Sequence, residues 1–384
     1  MKILVAHNAY QQRGGEDSVV DDEVALLRAR GAEVELFHAS NDGIGGMGRL
    51  DLLGRTLWSH PAATEMRRLC ERFRPDVVHV HNSFPLLSPS IHWAAQEAGV
   101  PVVQTLHNFR LVCPQAMLLR EGQVCEDCVG RVPWRGAVRG CYRGSVAQSS
   151  VLAGMLMLHR AKGTWQRRVN RFIVLNEAYR SRFVAAGFPA ERFVVKQNFV
   201  DLPEPRDTSR AGVLAVGRLS EEKGWPTIAQ ASALSGVPID VVGRGPLEEV
   251  LRASAGLTLH GSLPPQEVYT RMRAASVQVA ASVCIEGGPR TLIEGMACGL
   301  PAICSAMEPM MEIVQDGVTG LAFPPGDAQA LAQRLTWAQE HPEAMLTMGR
   351  AARRVYEARY TADRNHAQLM SIYQSAIEEG PRRD

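Results

Sequence analysis

The sequence predicts two α/β domains, each built on a doubly wound parallel sheet with helices on both faces. Its 384 residues are typical of two domains. Short apolar segments alternate with longer amphipathic ones, which favours strands separated by crossover helices. Glycine-rich loops follow several apolar segments, as at the strand-to-helix turns of such sheets. The predicted strands are 2–7, 33–37, 76–81, 101–106, 171–175, 213–216, 239–242, 277–281 and 301–304.

The composition is that of an ordinary globular protein, with 46% hydrophobic and 21% charged residues. No apolar run approaches the roughly 18 residues of a membrane span. The opening MKILVAHNAY is too short and wrongly flanked for a signal peptide, so we interpret it as the first buried strand. We therefore expect a cytoplasmic protein whose cysteines are reduced unless they bind metal.

A polar, proline-rich segment at 198–210 predicts the linker between the domains. Charge differs on its two sides. Up to residue 200 there are 25 Lys/Arg against 18 Asp/Glu, and from residue 201 onward 17 against 22. The first half is therefore basic and the second acidic.

The most informative stretch is 277–305. A buried strand leads into the loop IEGGPR, and an apolar helix at 291–298 ends at Gly299. Backbone N–H groups at the helix start favour an anionic ligand. Glu286 in the loop and Glu294 in the helix are good acceptors for sugar hydroxyls, so the stretch suits a sugar nucleotide. The alternative is a surface glutamate and a solvated helix glutamate.

EGGPRTLIEGMACGLP resembles the donor-site motif of the retaining glycosyltransferases of family four. Those enzymes have the GT-B fold, in which two Rossmann-like doubly wound parallel-sheet domains face each other across a cleft. The family pattern ends Glu-Ala-Met-Ala-Cys-Gly-x-Pro, and this chain has Gly295 where alanine is usual. The resemblance implies that Glu286 contacts the donor sugar and Glu294 the nucleotide ribose. The donor-binding loop between them is Gly287, Gly288, Pro289 and Arg290.

Two cations follow the predicted strand 213–216, in GRLSEEKGW. Arg218 and Lys223 are what a diphosphate leaving group needs, because cations stabilise the charge that grows during bond cleavage. The segment resembles the family's Gly-Arg-Leu…Lys-Gly motif; the alternative is an ordinary surface pair. By the same resemblance Gly243 borders the nucleotide, and the loop from Gly261 to Leu263 lies against the base. Arg244 replaces a common aspartate.

In the first half, Gly14 and Gly15 follow the first strand and allow a ligand to approach the backbone. G-x-G-x-x-G is absent there, which weakens a dinucleotide-enzyme interpretation. Many family members carry a similar Gly-Gly-x-Glu loop near the donor phosphates; the alternative is a simple turn.

Asn8, His81 and His107 are predicted at the carboxyl ends of strands, where ligands bind in parallel sheets. A lone histidine is usually structural. His107 begins a His-Asn pair, however, and the family often has His-Asp or His-Asn at this strand end, facing the reacting sugar. The resemblance therefore makes His107 a catalytic candidate, with His81 as a second candidate.

Four cysteines lie in an insertion at about 110–145: Cys113, Cys125, Cys128 and Cys141. A Cys-x2-Cys pair flanked by two further cysteines fits a tetrahedral structural zinc site. The alternatives are a redox role or four unlinked thiols. Asp-x-Asp is absent, so the resemblance implies no cofactor and no metal for catalysis.

The segment 110–171 is basic, with eleven Lys/Arg against three Asp/Glu. Its amphipathic part, from residue 151, either rests on anionic lipid at the inner membrane or is a core helix with a solvated end. Nothing in it resembles a nucleic-acid-binding motif, so no nucleic-acid partner is expected.

The resemblance implies an acceptor domain at 1–200, a donor domain at 201–360, and a helix at 361–384 that crosses back to the first domain. The expected reaction moves a sugar from a nucleotide diphosphate sugar to an acceptor hydroxyl, with retention. A sugar or lipid-linked saccharide in envelope or exopolysaccharide synthesis is the expected acceptor. The alternatives are a non-hydrolysing sugar-nucleotide epimerase and a non-catalytic sugar-nucleotide-binding protein.

Overall fold

The computed structural model describes residues 1–11, 13–204 and 209–382. The chain divides into two compact units. The first contains residues 1–118, 126–197 and 365–384, and the second contains 119–125 and 198–364. Of the predicted linker, residues 205–208 lie outside the described residues, as does Gln12 of the first predicted loop.

The first unit contains a six-stranded, all-parallel sheet in the order β2-β1-β3-β4-β7-β8. Its strands are β1 (Lys2–Ala9), β2 (Glu33–Ser40), β3 (Val77–Asn82), β4 (Val102–Leu106), β7 (Arg171–Val174) and β8 (Phe193–Val195). A separate antiparallel hairpin is formed by β5 (Leu119–Arg120) and β6 (Gln123–Val124).

Helices cover both faces of this sheet. They are α1 (Gly15–Ala29), α2 (Arg49–Leu57), α3 (His60–Phe73), α4 (Ser90–Glu97), α5 (Trp134–Val138), α6 (Val146–Ala161), α7 (Thr164–Arg167) and α8 (Glu177–Ala185). Along β1, alternate side chains point to opposite faces. Ile3 and Val5 pack into a cluster with α1, whereas Leu4 and Ala6 pack into a cluster with α3 and α4.

The second unit contains another six-stranded parallel sheet, in the order β11-β10-β9-β12-β13-β14. Its strands are β9 (Val213–Val216), β10 (Ile239–Val242), β11 (Leu257–Leu259), β12 (Val277–Ala280), β13 (Ala302–Ser305) and β14 (Gly320–Phe323). Its helices are α9 (Trp225–Ser235), α10 (Glu248–Arg252), α11 (Pro265–Ala274), α12 (Arg290–Ala297), α13 (Glu308–Met311), α14 (Ala328–Glu340) and α15 (Pro342–Arg359).

The last helix, α16 (Ala362–Glu379), begins in the second unit, and its residues from Asn365 onward belong to the first. Leu369, Ile372 and Tyr373 of α16 are buried in the cluster that contains Ile3 and Val5. In the described part of the chain, no helix is both long and apolar enough to cross a membrane.

All nine predicted strands are confirmed, with ends that differ by at most three residues. The prediction missed β8, β11 and β14, which have only three or four residues and lie at sheet edges. Helix α1 begins at Gly15, where the backbone N–H of the preceding Gly14 donates to Asp17 Oδ2 at 2.8 Å and caps the first turn. Helix α12 ends at Ala297, and Gly299 follows its C-cap with φ +65°.

The unusual Gly295 of α12 has a packing explanation. The side chain of Gln278, on β12 and only 3% exposed, fills the space where a side chain at this position would point. A Cβ on Gly295 would lie 1.9 Å from Gln278 Nε2. The glycine and the buried glutamine therefore depend on each other.

We expect Gly295→Ala to destabilise the second unit by about 1–3 kcal/mol, because the added methyl overpacks a buried site. In the double variant Gly295→Ala/Gln278→Ala the neighbouring side chain is shortened, so its loss of unfolding free energy should be smaller than the sum of the losses in the two single variants. Chemical denaturation of the four proteins in the cycle measures this coupling. In α6, a Cβ on Gly154 would meet nothing within 4 Å, so Gly154→Ala is the matched control and should not destabilise. Strict additivity would contradict the explanation.

Candidate active site

The topology of the second unit places its predicted site residues at one edge of the sheet. The chain runs from β9 to β10 and β11 on one side, and returns to β12, β13 and β14 on the other. Helical connections therefore diverge beyond the carboxyl ends of β9 and β12, where doubly wound sheets bind ligands. Arg218 and Lys223 follow β9, and Glu286 follows β12.

Lys223 and Glu286 are brought together at this edge. Lys223 Nζ donates to Glu286 Oε1 at 2.6 Å, and the Ser282 hydroxyl donates to the same oxygen. Burial by itself would lower the pKa of Lys223, but the charge and hydrogen bond of Glu286 outweigh it and raise the pKa above its ordinary value. A cation is thus held at the edge with a carboxylate beside it.

Gly224 makes this approach between loops feasible. Its φ is +71°, and a Cβ there would lie 2.0 Å from the carbonyl oxygen of Ala281, just after β12. Only glycine permits such contact. The loop that carries Lys223 can therefore lie directly against the end of β12.

Arg218 is the more exposed of the two cations, with 59% of its side chain accessible. Its guanidinium pairs with Glu222, and Nε donates to the Ser220 hydroxyl at 3.2 Å. Trp225 Nε1 donates to the Arg218 carbonyl at 2.7 Å and fixes the backbone there. Arg218 can turn its guanidinium toward an anion without leaving this anchored loop.

Gly243 and Gly261 are hydrogen-bonded neighbours, since the Gly243 N–H donates to the Gly261 carbonyl at 2.8 Å. Gly243 has φ +149°, and a Cβ there would lie 1.9 Å from the carbonyl oxygen of Gly217. Close packing of strand-end loops therefore accounts for this glycine by itself. Leu263 is partly buried against the core cluster beside α11 and α12. Contact of these residues with a nucleotide stays a prediction.

The loop before α12 is held by its own side chains. Asn198 Nδ2 donates to the Gly288 carbonyl at 3.3 Å, and Pro289 is the residue before the first helical position. Arg290 Nε donates to Glu294 Oε1 at 2.9 Å, one helical turn away. Glu294 is only 9% exposed, so its carboxylate is oriented by Arg290 rather than solvated.

In the first unit, the structure brings His107 and His81 together. His81 Nδ1 and His107 Nε2 are 2.9 Å apart, and the rings stack with centroids 5.2 Å apart. The Asn8 side chain, by contrast, has a structural role: its amide donates to Asn41 and its oxygen accepts from the N–H of Leu86.

Sequence reasoning missed the groups behind these histidines. Glu23, His79 and Lys196 are each 2% exposed or less; Glu23 and His79 lie next to His81, and Lys196 pairs with Glu23. Two signals were present in the sequence. Glu23 occurs on the apolar stripe of α1 with Val20, Val24 and Leu27, and His79 and His81 alternate on one side of β3.

Glu16, next to Gly15, was also missed. Its Oε2 accepts from the Tyr10 hydroxyl at 3.1 Å and from Asn108 Nδ2 at 3.4 Å, and its Oε1 is buried with no hydrogen-bond partner among the described residues. Burial raises the pKa of Glu16 to about 7. Gly14 is the N-cap residue of α1, and Gly15 is exposed with nothing within 4 Å of an added Cβ.

The four cysteines predicted to bind zinc differ in their burial. Cys113 and Cys128 are buried, and Cys125 and Cys141 are partly buried. Cys125 belongs to the second unit, and the other three belong to the first. The structural zinc site stays a prediction.

Family models match both units. The model "Glycosyltransferase Family 4" matches residues 13–204, which is half of the chain, and the model "Glycosyl transferases group 1" matches residues 201–355. The chain belongs to glycosyltransferase family 4. The predicted family is thus confirmed, with its GT-B fold of two Rossmann-like domains.

The names of two relatives of this glycosyltransferase refer to a glycolipid and to a polysaccharide. It is 24% identical to a phosphatidyl-myo-inositol mannosyltransferase of Mycobacterium leprae, over 98% of this chain and 97% of the relative. An amylovoran biosynthesis glycosyltransferase of Erwinia amylovora is 27% identical over 52% of this chain and 54% of the relative. The chain therefore spans about half the length of that exopolysaccharide relative.

The same fold occurs in a crystal structure of Anabaena HepE in complex with UDP, at 19% identity and a TM-score of 0.69. The match covers 98% of this chain and all of the other. At this identity the likeness concerns the fold alone.

The raised pKa of Glu16 predicts a pH-dependent stability. Between its unfolded pKa near 4.5 and its folded pKa of about 7, the folded state binds a proton that the unfolded state has lost. Stability from this group is therefore present below pH 4.5 and falls as the pH rises to 7. Relative to wild type, Glu16→Gln should gain about 1–3 kcal/mol between pH 5 and 8.

Denaturation of wild type and variant at four pH values tests this difference, in which titrations of all other groups cancel. Glu71→Gln, at an exposed position of α3, is the matched control. A difference between wild type and Glu16→Gln that stays constant with pH would show that Glu16 titrates normally.

Proposed function

We propose that this glycosyltransferase uses a nucleoside diphosphate sugar as donor and retains the configuration at the anomeric carbon. The observation that carries the proposal is the Lys223–Glu286 pair where β9 and β12 diverge. At this edge of the sheet, the Lys223 ammonium is held next to the Glu286 carboxylate, which can accept hydrogen bonds from sugar hydroxyls. Structures of the HepE fold relative with UDP and with UDP-glucose support a nucleotide sugar donor.

Lys223 and Arg218 would neutralise the departing diphosphate, together with backbone N–H groups near Gly288. When the diphosphate takes over as partner of Lys223, Glu286 becomes available to accept hydrogen bonds from the donor sugar. Glu294, held by Arg290, would accept from the ribose hydroxyls. Preorganised charge of this kind is usually the largest contribution to catalysis.

In the proposed reaction, the bond between the anomeric carbon and the diphosphate oxygen breaks, and a bond to the acceptor oxygen forms on the same face. The acceptor hydroxyl passes its proton to the departing phosphate, which needs no separate general base. His107 would contribute from the first unit by facing the sugar. No catalytic metal is part of the proposal.

A lipid-linked or polymeric saccharide in envelope or exopolysaccharide synthesis is the acceptor we propose. The names of the relatives, phosphatidyl-myo-inositol mannosyltransferase and amylovoran biosynthesis glycosyltransferase, support that class. An epimerase would instead release nucleotide without an acceptor, and a binding protein would release none.

We also propose a peripheral membrane contact through an exposed apolar and basic patch of the first unit. Trp134 and Val138 are one turn apart on α5, and are 58% and 66% exposed. Helix α5 packs on α6, where Val146 is 55% exposed. The same stretch of sequence carries arginines at 131, 135, 139 and 143, and the Arg135 guanidinium lies 5.6 Å from the centre of the Trp134 ring. Apolar side chains beside cations are suited to anionic lipid.

Diphosphate binding should require Lys223. In a thermal-shift screen with UDP, GDP, ADP, dTDP and CMP, without metal, one diphosphate at ~10–100 times its dissociation constant should stabilise by about 1.4–2.7 kcal/mol. Lys223→Ala should abolish this shift and lower turnover by roughly 100-fold or more, because the leaving group loses its cation. Arg252→Ala removes an exposed cation of α10 and should change neither. Normal turnover by Lys223→Ala would refute the leaving-group role.

Membrane binding should depend on the patch. Trp134→Glu/Val138→Glu should weaken sedimentation with anionic phosphatidylglycerol vesicles at least tenfold, because two apolar anchors are lost and charge is added. Leu346→Glu, at a 44%-exposed apolar position on α15, is the matched control. Equal binding by all three proteins would contradict the proposed contact.

A further inference from the structure

A continuous series of buried ionisable side chains leads to His107 within the first unit. Lys196 Nζ lies 2.9 Å from Glu23 Oε2, and Glu23 Oε1 lies 3.3 Å from His81 Nε2. His81 Nδ1 then lies 2.9 Å from His107 Nε2. The side chains of Lys196, Glu23 and His81 are at most 2% exposed, so solvent cannot replace these contacts.

Glu23 is the charged member that orders the series. Burial by itself would raise its pKa, but the ammonium of Lys196 and the contacts of His79 and His81 outweigh burial and hold the pKa well below its ordinary value. As a carboxylate, Glu23 can only accept hydrogen bonds. Any nitrogen directed at its oxygens must therefore carry a hydrogen.

His81 has one such nitrogen. Its Nε2 is buried 3.3 Å from Glu23 Oε1 and has no other hydrogen-bond partner among the described residues, while Glu23 Oε1 also lies 3.2 Å from His79 Nδ1. Two lone pairs facing each other would repel, so Nε2 carries the hydrogen. Burial and the neighbouring His79 lower the pKa of His81 to about 3, which keeps the ring neutral. A neutral ring with hydrogen on Nε2 has only a lone pair at Nδ1.

The same logic extends to His107. Its Nε2 faces the lone pair of His81 Nδ1, so this nitrogen carries the hydrogen. Burial and the neighbouring His81 hold the pKa of His107 well below its ordinary value, so this ring is neutral as well. Its Nδ1 is consequently a hydrogen-bond acceptor. His107 is partly buried, whereas His81 behind it is not accessible.

We propose that Glu23 and His81 are positioning residues that fix the tautomer of His107, so that Nδ1 accepts a hydrogen bond from a sugar hydroxyl. The tautomer is inferred from the contacts between the side chains, and its use rests on the proposed function. The order of the series, from carboxylate to imidazole to imidazole, determines that His107 presents a lone pair rather than an N–H to its ligand.

The surroundings support a hydrogen-bonded series over a metal site. Glu23, His79 and His81 are near enough to one another to hold a metal ion. However, the two nitrogens of His79 already lie 2.7 Å and 2.8 Å from the hydroxyls of Tyr373 and Thr105. The ammonium of Lys196, which also donates to Asn365 Oδ1, would repel a cation beside Glu23.

Asp17, a further acidic side chain in the described part of the chain, is already paired with His7 beside these rings. His7 lies edge-on to His81 with ring centroids 6.4 Å apart, and its Nε2 contacts Asp17 Oδ1 at 2.9 Å. Asp17 also accepts from the N–H of Gly14. The charges that act directly on His81 and His107 are therefore those of Glu23 and Lys196, which belong to the series itself.

Long-range 1H–15N NMR of the full chain with 15N-labelled histidine measures each tautomer directly, between pH 6 and 8 and without substrate. His107 is assigned from the peaks lost in His107→Gln. We expect hydrogen on Nε2 of both His81 and His107 in the wild type. In His81→Gln, which keeps the Glu23–Lys196 pair, and in Glu23→Gln, we expect a mixture of tautomers at His107.

Activity provides the second readout. Loss of a partner that orients a functional histidine lowers activity roughly 10- to 100-fold, and we expect such a fall in kcat for His81→Gln, with a smaller change in KM. His92→Gln is the matched control: His92 is equally buried and neutral, with Nδ1 3.1 Å from the Pro89 carbonyl, but does not touch the series. It should leave the His107 tautomer unchanged.

The outcomes separate three failures. Hydrogen on Nδ1 of wild-type His107, or an unchanged tautomer in His81→Gln and Glu23→Gln, overturns the positioning role. The expected tautomers with no fall in kcat overturn the use of Nδ1 in transfer. Absence of any nucleotide-dependent turnover in the wild type refutes the proposed function itself, while the NMR result still decides whether the series fixes the tautomer.

Discussion

The arrangement of candidate residues depends on one constraint, the parallel direction of the strands in each sheet. Parallel strands require crossover helices, and all carboxyl ends meet at one edge. Lys223 and Glu286, 63 residues apart in the sequence, are hydrogen-bonded for this reason. The contact between His81 and His107 likewise joins the ends of two paired strands, β3 and β4. Residues far apart in the chain become neighbours without any long loop folding back.

The two units handle charge differently at these edges. In the second unit, cations are kept at the edge by carboxylates, as in the pairs Lys223–Glu286 and Arg218–Glu222. In the first unit, the edge presents neutral imidazoles, and the charges are buried behind them in the Lys196–Glu23 pair. A cation that is paired with a carboxylate can take an anionic ligand as its partner instead, which is why the diphosphate is proposed to bind in the second unit.

Much of the fold could be predicted because long apolar strands and glycine-rich turns are local signals. The edge strands β8 and β11 escaped prediction, since three residues give too little periodicity. Two separate motifs identified Glu286 and Lys223, but neither motif showed that the two side chains pair. Glu23 was missed because it resembles any other glutamate on an amphipathic helix, and only the fold reveals Lys196 beside it. The motif showed that Gly295 is unusual, but the side chain that requires a glycine there, Gln278, lies on the preceding strand, β12, and only the fold brings the two together.

The fit of Gln278 against Gly295 also has an evolutionary consequence. A chain that gained alanine at 295 while it kept Gln278 would pass through a sterically crowded intermediate. The two positions are therefore expected to be epistatic, so that the order in which they change matters. A donor motif with alanine at 295, transferred from a relative into this chain, would therefore fit only if residue 278 were replaced at the same time.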